Sequence, residues 1–431
     1  MSHFRLKTCT GAALFYAAIT LLPMPASAVD LGALADRFQA LDIKVLNKPA
    51  TESSLSTLKF LSVTSTATDF SDSDLNAVVD LPKLQSLTII QQLDLTPSGL
   101  AAIAASSSLT NLSLTNLQIT DQAIGAIAAM ANLKSLTLAR VKGITPEGFK
   151  ALATSKSIEQ LTLTSMSVGD AGLEAISGMS QLERLNIART KGVTPKGVAL
   201  LAGLPRLRDF EASNIYIDDE ALKAFENHPA LSRLNLNNVD TITDAGIGHI
   251  ATIPGLSELF LNDTIITGTS FEALSAAPHL KRLYMQRTNL SDETAGDIGK
   301  LAQLEELNLN ENHVGDPTAA EAAKIISLTN LSMAGTDVAD KGLKAFAEHG
   351  SLAFLTLSKT TVSDAGIAAL AGKNLKSVNI DETAITDAAL KHLAGLESVT
   401  AINVRKTGVT AEGVEEAKKI RGDGNRLNIY K

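Results

Sequence analysis

The chain has 431 residues, a formal charge of −8 at pH 7, one cysteine and no tryptophan. The acidic balance argues against nucleic acid and anionic lipid as partners, because both require a basic surface. Aromatic residues make up only 4% of the chain, which disfavours a protein that binds sugars or bases by stacking.

The first 28 residues have the pattern of a secretory signal peptide. Arg5 and Lys7 precede an apolar stretch from about residue 11 to residue 22, and Ala26-Ser27-Ala28 fits a cleavage site. The stretch is too short to span a membrane, and no later run of 18 apolar residues exists. We therefore expect an exported protein, periplasmic or secreted, without stable membrane insertion after signal removal. A buried N-terminal helix is the alternative.

The only cysteine, Cys9, lies within this segment. Its removal excludes disulfides, cysteine-ligated metal ions and cysteine nucleophiles from the mature chain. Cleavage also removes Arg5 and Lys7 but no acidic residue, so the formal charge falls from −8 to −10.

Residues 29–57 are predicted to form an N-terminal helical cap. Leu34, Phe38 and Leu41 fall on one face of a helix in this segment. The first unit of a repeat array exposes an apolar surface, and we expect this face to cover it.

From residue 58 to the end at residue 431, one phrase recurs about every 24 residues. In register it is L-x-x-L-x-L-x-x-T-x-[IV]-[TS]-[DP]-x-G-[LI]-x-x-[LI], and a half-copy with Leu427 and Ile429 closes the chain. A repeat of roughly 20–29 residues with this leucine spacing indicates a leucine-rich-repeat solenoid. The fifteen copies begin at Leu58, Leu84, Leu109, Leu133, Ile158, Leu182, Leu207, Leu231, Leu256, Leu280, Leu304, Leu328, Leu352, Leu375 and Val399.

Each copy has two halves with different periodicity. Leucines alternate with polar residues in the first half, which predicts a strand; apolar residues every three or four positions in the second half predict a helix of two to three turns. Thr145-Pro146 and Thr120-Asp121 illustrate the N-caps that start these helices. Strands stack about 4.8 Å apart whereas helices need about 8–10 Å. The predicted fold is therefore an α/β horseshoe with a parallel sheet on the concave face and helices on the convex face.

The first half of the array is built from duplicated pairs of copies. The starts at Leu84, Leu133 and Leu182 are each 49 residues apart. The sequence ARVKGITPEG at 139–148 is nearly repeated as ARTKGVTPKG at 188–197. Pairs of 25 and 24 residues are the duplicated unit.

The phrase resembles that of bacterial leucine-rich-repeat proteins with units of the form L-x-x-L-x-L-x-x-T-x-[IV]-[TS]-D-x-G-L, and is similar to the cysteine-containing repeats of F-box proteins. The resemblance covers nearly all of the mature chain and implies a protein-recognition role, but it supplies no catalytic residues. No F-box or other effector domain precedes the array. The consensus cysteine position is occupied by threonine at Thr66, Thr190, Thr264, Thr336, Thr360, Thr383 and Thr407.

Motifs for catalysis and metal binding are absent from the sequence. It contains no G-x-S-x-G, H-E-x-x-H, P-loop or G-x-G-x-x-G motif. The aspartates at helix starts could form a calcium ladder, but proline replaces several of them, so helix-start chemistry is the better interpretation. We expect no enzyme activity, cofactor or metal. The six histidines after the signal segment do not have the paired spacing of metal ligands, so we expect them to be solvated surface residues. They are His228, His249, His279, His313, His349 and His392.

The concave face changes character along the array. Its residues are small and uncharged in the early copies, such as Asn111 and Ser113, and are often charged from the middle onward. Phe260 and Tyr284 occupy the same strand position in adjacent copies, and exposed aromatics beside arginines have the composition of a binding hot spot. The alternative is that these two rings only pack on each other. The candidate ligand-binding residues are Arg233, Glu258, Phe260, Arg282, Tyr284 and Arg287.

These features favour a monomeric, exported, non-enzymatic scaffold that binds a protein ligand of unknown identity on its concave face. The first alternative is a carbohydrate or cell-envelope polymer binder that uses the Ser, Thr and Asn ladders of the early copies. The second is an enzyme whose site is assembled across repeats, which would require a deep concave pocket lined by converging acids.

Overall fold

The structure is a computed structural model. The predicted signal peptide lies outside the described residues, as does Thr66. The described residues are 29–45, 48–64, 67, 69–91, 95–96, 99–370, 374–422 and 426–431.

The segment expected to form the cap is partly helical. It contains α1 (Leu31–Ala40), an antiparallel pair of strands β1 (Lys44–Val45) and β2 (Lys48–Pro49), and α2 (Glu52–Ser56). Leu34, Phe38 and Leu41 are buried and belong to the same core as the repeats. Arg37 Nε donates to Asp74 Oδ1 at 2.9 Å, which ties this segment to the first repeat unit. The domain boundaries on either side of it stay predictions.

A parallel sheet of 16 strands, arranged in chain order, confirms the predicted solenoid. Every strand pairs in register with the strands of the preceding and following repeats, so equivalent residues of successive repeats lie side by side. The strands are β3 (Phe60–Val63), β4 (Ser86–Ile90), β5 (Asn111–Thr115), β6 (Ser135–Ala139), β7 (Gln160–Thr164), β8 (Arg184–Asn186), β9 (Asp209–Glu211), β10 (Arg233–Asn235), β11 (Glu258–Phe260), β12 (Arg282–Tyr284), β13 (Glu306–Asn308), β14 (Asn330–Ser332), β15 (Phe354–Thr356), β16 (Ser377–Asn379), β17 (Ala401–Asn403) and β18 (Asn428–Tyr430).

Short helices alternate with the strands and form the convex side. Several have a single turn rather than the predicted two or three. A 3-10 helix replaces the α-helix at 99–105 and 295–300, and another continues from the α-helix of 195–200 at 201–203. Among the described residues, no helix has the length and apolar character needed to cross a bilayer. The helices are α3 (Asp72–Val79), α4 (Asp121–Ala128), α5 (Pro146–Leu152), α6 (Gly169–Ile176), α7 (Pro195–Leu200), α8 (Asp219–Lys223), α9 (Asp244–Ile250), α10 (Phe271–Leu274), α11 (Asp316–Ala322), α12 (Asp340–Lys344), α13 (Asp364–Ile367), α14 (Asp387–Gly395) and α15 (Ala411–Arg421).

One continuous apolar core separates the sheet from the helices. The consensus leucines of the strands enter it; Leu234 and Leu236, for example, are at most 1% exposed. Because side chains alternate along a strand, the residues between these leucines face the concave side. Neighbouring repeats share this core, so the array is stabilised by contacts between adjacent units.

The chain leaves each strand through a residue with positive φ. In every repeat from Leu84 to Val399, the eighth residue has φ between 51° and 65°. In the repeats from Leu84 to Leu375 its N–H donates to a carbonyl of the next repeat; the N–H of Asn116, for example, lies 2.8 Å from the carbonyl oxygen of Ala139. These residues are Gln91, Asn116, Arg140, Ser165, Arg189, Asn214, Asn238, Asp263, Arg287, Glu311, Gly335, Lys359, Glu382 and Lys406.

The threonine that follows closes the end of the strand. The Thr264 hydroxyl donates to the carbonyl oxygen of Leu261 at 2.7 Å, and Thr360 does the same to Leu357 at 2.7 Å. A buried hydroxyl at this position is therefore satisfied locally. This bond explains how threonine replaces the cysteine of the similar repeats.

The helix-start aspartates bind the following repeat. Asp340 accepts from the N–H of Ser363 at 2.7 Å and from its hydroxyl at 2.6 Å. Helix-start chemistry was therefore only part of their role, because each carboxylate also fixes the N-cap of the next helix. The same two bonds join Asp72 to Thr96, Asp121 to Thr145, Asp170 to Thr194, Asp219 to Thr243, Asp244 to Thr267, Asp364 to Thr386 and Asp387 to Thr410.

Candidate ligand-binding surface on the concave face

Strands β10, β11 and β12 bring five of the six candidate residues together. In their parallel register Glu258 lies between Arg233 and Arg282, and Phe260 lies beside Tyr284. The intervening Leu234, Leu259 and Leu283 enter the core, so the candidate side chains point to the concave face.

Phe260 and Tyr284 form a stacked pair, hereafter the aromatic patch. Their ring centroids are 4.5 Å apart and the ring planes differ by 4°. The guanidinium carbon of Arg233 lies over the Phe260 ring, 4.6 Å from its centroid, which is within the distance of a cation–π interaction. Both rings remain partly exposed. The rings therefore do pack on each other, yet they still present aromatic surface to solvent.

A ladder of alternating charges runs beside the aromatic patch. Asp209, Arg233, Glu258, Arg282 and Glu306 hold the same position in five consecutive strands. Arg233 lies 2.8 Å from Asp209 and 3.5 Å from Glu258, while Arg282 pairs with Glu258 and lies 3.7 Å from Glu306. Each arginine is thus shared between two carboxylates, which fixes its side chain and cancels much of its charge.

Two members of this ladder, Asp209 and Glu306, were not among the candidate residues. The signal that could have found them is their position, since each is two residues after the start of its repeat. Burial raises the pKa of Tyr284 to about 12, and interaction with the Glu306 carboxylate adds to the increase. Tyr284 is therefore a neutral hydroxyl donor at physiological pH.

Arg287 does not join the aromatic patch. It occupies the positive-φ position beyond β12, and its Nε and Nη2 atoms donate to the Asp263 carboxylate at 2.6 and 2.9 Å. This bidentate bond raises the pKa of Arg287. Arg287 is better described as a rim residue whose charge is already paired.

Two shallow hollows flank the aromatic patch on the concave face. One has a volume of about 190 Å³ and is lined by Gln160, Arg184, Glu211 and Arg233. The other has a volume of about 160 Å³ and is lined by Glu306, Asn330 and Phe354. The aromatic pair therefore forms a ridge between two shallow depressions.

The sequence predicted that all six histidines are solvated, but the structure shows that His228 is not. His228 is only 3% exposed; its Nε2 lies 3.0 Å from the Leu204 carbonyl oxygen, and its Nδ1 accepts from the N–H of Leu231 at 3.1 Å. Burial lowers the pKa of His228. The surface interpretation was therefore wrong for this residue, which links two repeats. Within the described ranges, no group of three or more His, Cys, Asp or Glu side chains is arranged to hold a metal ion.

Residues 324–347 match the Leucine Rich repeat family. The chain has the leucine-rich-repeat fold. Its leucine-rich-repeat fold is similar to that of a Leptospira interrogans leucine-rich-repeat protein, with a TM-score of 0.58, 16% identity and coverage of 91% of this chain and 94% of the other. A chain of the mouse RP105/MD-1 complex has a TM-score of 0.56 at 17% identity, with coverage of 86% and 69%. No curated protein matches the sequence.

Proposed function

We propose that this leucine-rich-repeat protein is an exported, non-enzymatic scaffold that binds a protein ligand on its concave face through Phe260 and Tyr284. The observation that carries the proposal is the stacking of these two partly exposed rings at 4.5 Å, with Asn235 and Asn308 beside them on the adjoining strands. Large aromatic side chains supply much of the free energy in protein interfaces.

The aromatic patch is held in place before any ligand binds. Arg233 covers one face of Phe260, and the Tyr284 ring stacks on Phe260. Residues that are already fixed lose little conformational entropy on binding, which favours affinity. The paired arginines add a second constraint, because a partner must leave their ion pairs intact or replace them with equivalent ones.

The flanking hollows indicate the shape of the partner surface. Apolar atoms of the ligand would cover the ridge of Phe260 and Tyr284, while polar side chains would enter the hollows beside Glu211 and Asn330. The likeness to a chain of the RP105/MD-1 complex supports a protein partner, since that fold occurs there in an assembly of two proteins. The predicted signal peptide supports export.

The proposal is tested by capture from the native cell envelope. Immobilised wild type is compared with the Phe260→Ala/Tyr284→Ala variant, which we expect to lose the ligand while keeping its circular dichroism spectrum. Phe60→Ala/Tyr430→Ala is a matched control, because it removes an exposed phenylalanine and tyrosine, 70% and 48% exposed, at the two ends of the sheet. Capture of the same proteins by all three would refute the assignment of the site.

A further inference from the structure

A cluster of basic side chains lies at the ends of β6 and β8, several repeats away from the aromatic patch. It consists of Arg140, Lys142, Arg189 and Lys191, hereafter the basic cluster. The four residues come from the duplicated sequences at 139–148 and 188–197. All four are exposed on a chain whose overall formal charge is −8.

The charges of the basic cluster are not neutralised by neighbouring repeats. At the same strand-end position, Arg287 bonds to Asp263 and Lys406 bonds to Glu382, each an acid one repeat earlier. Arg140 follows Asn116 instead, and Arg189 follows Ser165. Within the described ranges, none of the four side chains of the basic cluster makes an ion pair or hydrogen bond.

The backbone does not explain why arginine occupies this position. Arg140 and Arg189 have φ of 52° and 57°, a region that asparagine adopts more readily than arginine. Asparagine fills the equivalent positions at Asn116, Asn214 and Asn238. A preference for the turn conformation therefore does not account for arginine at these two positions.

A cavity of about 400 Å³ opens within the basic cluster. Arg140, Lys142 and Lys191 line it, and no acidic residue does. Hydroxyl and amide groups complete its wall, at Asn116, Ser165 and Ser167. Asp170 is the helix-start aspartate that follows Ser167 in the chain. Its carboxylate already accepts from the N–H and the hydroxyl of Thr194, at 2.8 and 2.6 Å. The cavity thus offers several cationic and neutral donors without a competing anion.

We propose that the basic cluster binds an acidic polysaccharide. Arg140 and Arg189 are separated by two strand spacings, or about 10 Å. Two cationic pairs at this separation are suited to a polymer with regularly repeated carboxylate groups. Arginine and lysine form charge-assisted hydrogen bonds with such groups.

The surroundings of the cluster favour a sugar polymer over a protein or a nucleic acid. Of the large apolar side chains in the cavity wall, Val141 and Met166 are buried and Ile144 is partly exposed, so the wall offers little of the apolar anchor surface that protein interfaces use. It also contains no aromatic ring on which a base could stack. The adjoining strands β5 and β7 present Ser113 and Thr162 to the concave face, where their hydroxyls can bond to sugar hydroxyls.

The test uses polygalacturonate, poly-L-glutamate and neutral dextran as probes for the intact protein. The variant Arg140→Asn/Lys142→Gln/Arg189→Asn/Lys191→Ser introduces residue types found at the same positions of neighbouring repeats, at Asn116, Gln118, Asn214 and Ser167. A control removes four exposed lysines near the other end of the array. It is Lys341→Ser/Lys344→Ser/Lys359→Asn/Lys376→Ser.

We expect wild type and the control to bind polygalacturonate in low salt, and the cluster variant to bind at least about tenfold more weakly, as the loss of charge-assisted hydrogen bonds implies. Dextran should not bind. Equal affinity of the cluster variant, no binding by wild type, or equally tight cluster-dependent binding of poly-L-glutamate would overturn the proposal. The Phe260→Ala/Tyr284→Ala variant should still bind polygalacturonate, so the two sites are tested independently.

Discussion

A β-carbon on Gly246 would collide with the Oδ1 atom of Asp219, one repeat earlier. That carboxylate accepts from the N–H and the hydroxyl of Thr243 at 2.8 and 2.6 Å, and it lies against the first turn of α9. The aspartate of the preceding repeat therefore leaves no room for a β-carbon on Gly246. The constraint is local to such sites, because Ala221 takes the equivalent position after Pro195 and Ala389 takes it after Asp364.

The first prediction compares two glycines of helix α9. Gly246→Ala should lower the free energy of unfolding by about 1–3 kcal/mol, the usual cost of overpacking. Gly248→Ala should raise it by about 0.5–1 kcal/mol, because alanine favours the helix and nothing lies within 4 Å of the added carbon. Urea unfolding monitored by circular dichroism measures both changes.

The same pair of sites provides a coupling test. Asp219→Ala removes the atom that Gly246→Ala would strike, so the double variant should lose less stability than the sum of the two single variants. Additive losses would show that the aspartate does not determine the glycine.

The second prediction concerns stability in acid. Burial by itself would raise the pKa of Asp244 and Asp340, but hydrogen bonds from Thr267, Ser270 and Ser363 outweigh it and hold both below the ordinary value of 3.8. The folded protein then binds fewer protons than the unfolded chain at low pH. Their stabilising effect should be complete above about pH 5 and decrease as the pH falls through 3.8 and below.

The measurement is the urea midpoint at several pH values. Asp244→Asn/Asp340→Asn cannot gain protons at these sites, so its midpoint should fall less steeply between pH 5 and pH 3. An identical slope for wild type and the double variant would argue against this contribution.

The third prediction concerns His228. Because burial lowers its pKa below 6.5, the neutral imidazole stabilises the fold above pH 6.5, and this stabilisation should diminish as the pH falls below that value. Its NMR titration midpoint should lie below 6.5. The variant His228→Gln should show a smaller loss of stability between pH 7 and pH 5. A midpoint above 6.5 would contradict the buried position.

The fourth prediction tests the support of the aromatic patch. Tyr284 should ionise near pH 12. The measurement is the phenolate absorbance of wild type as a function of pH, with that of the Tyr284→Phe variant subtracted. Glu306→Gln should lower this pKa, because it removes the negative charge that opposes phenolate formation. An unchanged value in Glu306→Gln would show that the two side chains do not interact.

The sequence predicted the strands well because their side chains have only two faces to occupy. The leucines two apart at 234 and 236 must both enter the core, which places Arg233 and Asn235 on the concave side. The positive-φ residues were not predicted, since Arg140 and Lys359 are not residue types that favour this conformation. There the N–H bond to the next repeat imposes it; the N–H of Arg140 lies 2.9 Å from the Thr164 carbonyl oxygen.

The candidate site was predictable in position but not in its bonding. Phe260 and Tyr284 are 24 residues apart at equivalent positions, so the repeat register alone makes them neighbours. Whether Arg233 faces solvent or covers Phe260 depends on side-chain rotamers that one sequence does not specify. The sequence likewise did not show that Arg287 pairs with Asp263 at the rim, away from the aromatic patch.

The central claim is that the ligand covers the aromatic patch, and site-specific photo-crosslinking tests it most directly. A photoreactive phenylalanine analogue is placed at Phe260 or, as a control, at Ile326, which is 78% exposed outside the strands. We predict that the same envelope protein that wild type captures is crosslinked from position 260 and not from position 326. Crosslinking of that protein from position 326 alone would contradict the account.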